Sequence, residues 1–118
     1  MEITPVATFE PPYYTVVFTS VKKPEAYGDG GYPEAAQLMN DLAKDVDGYL
    51  GHENATTPGG LSITVGYFRD EDAIRAWRDN LDHQRVRKQG RAEWYEAYSC
   101  HVAKVERSYG FRRDAGSH

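Results

Sequence analysis

The sequence predicts an α+β domain of ferredoxin-like order, β–α–β–β–α(α)–β, with a four-stranded antiparallel sheet and its helices on one face. Three observations carry this. The run Tyr13 to Val21 is β-branched and aromatic almost throughout. Two later stretches repeat apolar residues at helical spacing, and the segments Tyr49–Ala55, Leu61–Phe68 and Tyr98–Arg107 read as strands between and after them.

The elements follow in order. Residues 1–12 hold three prolines and no sustained period, and are expected to form an arm. The first strand is followed by Tyr27-Gly28-Asp29-Gly30-Gly31, a loop composition that tolerates positive φ. Pro33 and Glu34 suit the first turn of a helix whose apolar stripe is Ala35, Leu38, Met39, Leu42 and Val46. Asp41, Lys44 and Asp45 fall on its wet side, and Asp47-Gly48 ends it. Thr57-Pro58-Gly59-Gly60 is expected to turn a hairpin between the second and third strands. The third strand carries Leu61, Ile63, Val65 and Tyr67 on its large face. Asp70 is an N-cap for a helix bearing Ile74, Trp77 and Leu81, with Glu71 and Asp72 in its first turn. A second stripe, Val86, Gly90, Trp94 and Ala97, follows from near Asp82, and Asn80 is the expected point of interruption. The last strand sets Tyr98, Cys100 and Val102 on one face and His101, Ala103 and Val105 on the other. Cys100 is expected to be a buried thiol.

With helices on one face, the opposite face of the sheet needs a cover, because Val17, Thr19 and Val21 would otherwise meet water. A second copy packed sheet against sheet is the simplest cover, so a homodimer is expected.

The 118 residues make one domain, 1–118, with its core at about 13–111 and a tail at 112–118. Fourteen basic against eighteen acidic residues leave a net charge of −4, which argues against nucleic-acid binding through a basic face. No apolar stretch is long enough for a membrane span, and the opening residues do not read as a secretory signal. The expected compartment is the cytoplasm. One cysteine permits no internal disulfide, and the four histidines show no metal-binding spacing. Nine Tyr, four Phe and two Trp supply rings for a core or for a flat-ligand pocket.

The run Trp77…His83…Gln89-Gly90-Arg91…Trp94-Tyr95…Val102-Ala103-Lys104-Val105-Glu106-Arg107…Tyr109-Gly110-Phe111 resembles the antibiotic biosynthesis monooxygenase family. Tyr49-Leu50-Gly51-His52-Glu53 resembles its G-(Y/F)-L-G-x-E segment. The likeness covers roughly residues 13–111 and implies a dimeric α+β barrel. It also implies an oxygenase that needs no cofactor and acts on a small aromatic, quinol-like ligand with O₂. Such chemistry requires an apolar pocket, groups that favour the deprotonated substrate, and exclusion of water.

Within that reading, Trp77 is the candidate pocket wall and N–H donor to a developing oxyanion, and His83 the candidate for proton transfer. Arg87 or Arg91 is a candidate holder of an anionic oxygen. His52 and Asn54, two apart on one strand face, are candidate ligand contacts, as is Trp94. Packing readings stand beside each of these. Trp77 also suits a core anchor, His83 a solvated helix end, the arginines a charged outer face, and Trp94 close packing beside Gly90. His52, Asn54 and His101 equally suit a partner subunit. The family also holds haem-degrading members, in which an Asn on the first strand, a Trp and a His about three turns beyond it act together. Here the first strand has no Asn and Arg87 stands three turns beyond Trp77, so haem is the alternative and no cofactor the expectation. A non-catalytic ligand-binding or stress-related module is the remaining alternative.

Overall fold

The computed structural model describes residues 4–24 and 32–113. Strands β1 (Tyr13–Lys22), β2 (Tyr49–Thr56), β3 (Leu61–Phe68) and β4 (Tyr95–Val105) form one antiparallel sheet in the order β2-β3-β1-β4. Helix α1 (Tyr32–Lys44) follows β1. Helix α2 (Glu71–His83), the short helix α3 (Val86–Gln89) and a π-helical turn (Gly90–Trp94) lie between β3 and β4. The expected ferredoxin-like order is therefore present. The glycine loop at 27–31 and the tail beyond 113 lie outside the described residues.

Period-two geometry sorts the strand residues onto two faces. Val16 and Phe68 share a buried cluster with Val46 and Ala73, so this face of the sheet meets the helices. A second cluster joins Leu81, Val86 and Trp94, with Met39, Leu42 and Tyr95 against it, and Trp77 touches both clusters. Met39, Leu42 and Ala43 of α1, with Val46 just past its end, have the i, i+3, i+4, i+7 spacing of a single face. Leu38 lies at the margin of that stripe and is exposed, contrary to its expected core position.

Asp70 caps α2 as expected, its carboxylate accepting from the Ala73 N–H at 2.9 Å. The helix runs through Asn80 and stops at Gln84, whose N–H reaches the Asn80 carbonyl. Arg85, at φ 60°, then turns the chain through left-handed geometry. The break thus falls five residues beyond Asn80. Val86, Gly90 and Trp94 are buried as expected, whereas Ala97 belongs to β4, which begins three residues earlier than Tyr98. The hairpin at Thr57–Gly60 closes with Gly60 N–H on the Thr57 carbonyl at 3.0 Å, and Gly60 adopts φ 92°.

The outer face is partly covered by the chain itself. The arm carries Phe9 onto Tyr13 and Tyr67, with ring centroids at 5.5 and 6.5 Å. Glu53 clasps it, accepting the Val6 N–H at 2.7 Å and the Tyr67 hydroxyl at 3.1 Å. Ser108 donates to the Phe9 carbonyl from the chain beyond β4. Beyond the arm, Val21, Leu61 and Ile63 remain exposed, Ile63 by 42%. Helices α1 and α2 pack over β2 and β3 and do not shield β4. Cys100 is consequently exposed rather than buried, as are Tyr98 and Val102.

Trp94 is 1% exposed and anchors the second cluster. Trp94→Ala is expected to lower the unfolding free energy by about 3–5 kcal/mol in urea titrations, the usual cost of emptying a fully buried aromatic site.

Candidate functional site

A cavity of about 30 Å³ lies between the sheet and the helices, lined by Val16, Phe18, Asn40, Ala43, Tyr49, His52, Thr64, Gly66, Phe68 and Trp77. Four of these are aromatic rings. Trp77 stacks on Phe68 with centroids 5.6 Å apart and planes 27° from parallel, and Tyr49 meets Phe68 edge-on at 6.0 Å. The polar lining is His52, Asn40, Thr64 and the Tyr49 hydroxyl. A larger depression of about 370 Å³ is open to solvent and lined by Asp45, Asp47, Asp70, Asp72 and Arg69, without an aromatic wall. Its arginine is already paired with Asp47 and Asp70.

Tyr49 and His52 come together because β2 is not regular. Tyr49 pairs with Phe68 and Gly51 with Tyr67, so Leu50 is an extra residue in β2. This bulge flips the alternation and sets residues 49 and 52 on the same face. Gly51 accepts Val6 of the arm at a distance a side chain would contest, 3.0 Å from an added Cβ. The outcome is a hydrogen bond of 2.5 Å between the Tyr49 hydroxyl and His52 Nδ1. Burial holds the His52 pKa below the usual imidazole range, and the Lys44 charge pushes it the same way. Burial also raises the Tyr49 phenol. Both side chains are therefore neutral at pH 7.

Asn54 lies one step further along the same face and donates to Thr64 Oγ1 at 2.7 Å. Beyond it the face stays polar. Thr56 and Ser62 hydroxyls meet at 2.9 Å, and Lys22 Nζ donates to Ser62 at 2.9 Å and to Ser20 at 3.1 Å. Lys22 is 6% exposed beneath the Tyr95 ring, and burial lowers its pKa.

The expected site residues are thus divided. Trp77 and His52 line one cavity, with Asn54 bonded to a third lining residue, Thr64. The Trp77 N–H donates to the Met39 carbonyl at 3.1 Å, so the indole offers the cavity its ring face and not the expected free donor. His83 is exposed at the end of α2. Arg87 pairs with Asp82 at 3.0 Å, Arg91 reaches the Tyr98 hydroxyl, and Trp94 is core. None of these four lines the cavity. His101 sits on the outer face of β4, exposed. Tyr49 escaped the sequence reading because strict alternation puts residues 49 and 52 on opposite faces, and Thr64 and Phe18 because they meet the site only through the register that pairs them across β1 and β3. Gly51 inside a strand is the local mark of the bulge.

A histidine held neutral in the fold penalises folding once the unfolded chain begins to bind its proton. Below about pH 6.5 the unfolded state takes up that proton first, and stability falls with falling pH until the folded histidine also titrates. His52→Gln should flatten this part of the stability–pH curve and leave the neutral-pH plateau in place, as measured by urea midpoints between pH 7.5 and 5.

No family model matches the chain. It is 45% identical over 107 residues to the uncharacterized protein YqjZ of Bacillus subtilis (strain 168), covering 91% of both chains. Among solved structures, the cofactor-independent oxygenase SnoaB of Streptomyces nogalater superposes with a TM-score of 0.65 at 11% identity, over 83% of this chain and 97% of its own. A dimeric ferredoxin-like protein of unknown function from Thermobifida fusca superposes with a TM-score of 0.62 at 9% identity, over 86% and 100%. Structures provisionally named antibiotic biosynthesis monooxygenases share the same architecture. On sequence the chain belongs to the family of Bacillus subtilis YqjZ, and its fold is the ferredoxin-like fold of the antibiotic biosynthesis monooxygenases.

Proposed function

We propose that the protein is a cytoplasmic, cofactor-independent oxygenase that acts on a small aromatic, quinol-like substrate with O₂. The observation that carries this reading is the cavity walled by Phe18, Tyr49, Phe68 and Trp77, with His52 as its ring-nitrogen donor or acceptor. Aromatic walls suit a flat ligand, and a polar group such as His52 at the cavity edge offsets the cost of holding an electron-rich, deprotonated substrate away from water, where it reacts with O₂ directly. The likeness in fold to SnoaB supports the same reading. For an aryl ketone with a benzylic CH₂, the CH₂ becomes C=O, one oxygen atom enters the product and the other leaves as water. His83, Arg87 and Trp94 take no part, since they stand away from the cavity.

The volume of about 30 Å³ has room for about one water molecule, against roughly 300–1,000 Å³ for ligand pockets. Substrate entry therefore requires the helices to part from the sheet. This small volume is also what favours the second reading, a binding module without turnover.

The apolar outer face supports a homodimer through sheet-to-sheet packing. Val21, Leu61 and Ile63 are exposed side by side across β1 and β3, where Val21 pairs with Leu61 and Thr19 with Ile63. The dimeric Thermobifida fusca protein of the same fold agrees with this.

Two outcomes are expected. Purified protein, without added metal or flavin, consumes O₂ with anthrone, and Trp77→Ala abolishes this at least tenfold; no uptake across a panel of anthrones and anthrols selects the binding module. In sedimentation the wild type runs as a dimer at micromolar concentration, and Ile63→Glu shifts it to monomer with the far-UV spectrum retained.

A further inference from the structure

The polar end of the cavity permits a sharper statement about what it recognises. Among the described residues His52 has one hydrogen-bonding partner, the Tyr49 hydroxyl at Nδ1, and that hydroxyl has no other. Two arrangements satisfy the pair. If Nδ1 carried the proton, it would donate to the phenol oxygen and leave the phenol hydrogen without a protein acceptor; if the phenol donates, the imidazole proton sits on Nε2 and is the hydrogen left over. The phenol is the more acidic donor and the bare imidazole nitrogen the more basic acceptor, so the second arrangement makes the stronger hydrogen bond. Neutrality of both rings, argued above from their burial, leaves these as the only choices. No buried polar atom among the described side chains lacks a partner, so Nε2, which bonds to no described residue, is accessible. It is the opposite edge of a ring that lines the cavity between Thr64 and Gly66 of β3 and the aromatic wall. The titratable groups that act on it are Tyr49 of its own strand and Lys44 of α1.

We propose that His52 serves as a neutral Nε2–H donor that recognises a carbonyl or phenolate oxygen on the edge of a flat aromatic ligand, with Tyr49 as the positioning residue that fixes its tautomer. This rests on the aromatic-ligand reading of the cavity and narrows the ligand class to ring systems bearing an oxygen acceptor. It reverses the role that a pocket histidine is usually given. An imidazole whose free nitrogen carries hydrogen cannot take a proton there, but it can hold an oxygen on which negative charge develops. The bulge at Leu50 is what makes this possible, because a regular β2 would carry Tyr49 to the opposite face.

The experiment has two arms on the full-length protein. Long-range ¹H–¹⁵N correlation of the imidazole rings reads the tautomer at pH 7.5. The wild type should show His52 as Nε2–H, and Tyr49→Phe should convert it to a mixture. A wild-type signal of the Nδ1–H form overturns the proposal. Binding is read by tryptophan quenching with two probes of one shape, 9-fluorenone and fluorene, which differ in the ring oxygen. Fluorenone should bind on the order of tenfold more tightly, the worth of one good hydrogen bond. His52→Leu should equalise the two probes. His52→Gln, whose amide keeps a donor near Nε2, should retain most of the preference, and Tyr49→Phe should reduce it several-fold. Equal binding of both probes to the wild type overturns this proposal alone. Binding of neither overturns the aromatic-ligand reading, and this proposal with it.

Discussion

The stack of Trp77 on Phe68 is the contact on which the rest of the domain depends. Phe68 ends β3 and is 1% exposed, and Trp77 sits in the middle of α2. The indole N–H is spent on the Met39 carbonyl of α1. One side chain thus ties a strand and two helices, and it touches both buried clusters. The same ring is a wall of the cavity. Core and candidate site are therefore one structure seen from two sides, and no substitution at Trp77 will act on only one of them.

The sequence carried the architecture because the architecture rests on local signals. The β-branched run of β1, the Asp70 cap, the glycine at 48 and the hairpin at Thr57–Gly60 each specify their element within a few residues. Local signals fall short where a neighbour decides. Leu38 has helical spacing but lies at the margin of the buried stripe. Cys100 has strand alternation but sits on a strand the helices leave bare. Asn80 has a low helix propensity, yet the helix ends where the backbone of Arg85 takes a left-handed turn.

The site was less legible, for the same reason. Trp77 and His52 were visible as residue types, but their meeting depends on a sheet register set by residues far apart in sequence. His83 shares α2 with Trp77 but stands exposed in its last turn, and it does not line the cavity. Tyr49, three residues before His52 on the same strand, comes to it only because one residue of β2 is extra. A bulge costs a ladder hydrogen bond and leaves a side chain reoriented, which is why such irregularities gather near sites. The arm adds to this arrangement from the other face, where Val6 fills the space that Gly51 leaves and Glu53 clasps its backbone.

Lys22 has a consequence of a different kind. Its amine is enclosed among Ser20, Ser62 and the Tyr95 ring, while Lys44 and Lys104 stand in the open. An acylating reagent meets the exposed amines at every collision but reaches this one only when the corner formed by β1, β3 and the start of β4 comes apart. Its rate of labelling relative to theirs then reports how much of the time that corner stands open. A single lysine, followed by mass spectrometry, becomes an internal clock for local unfolding at the polar end of the sheet.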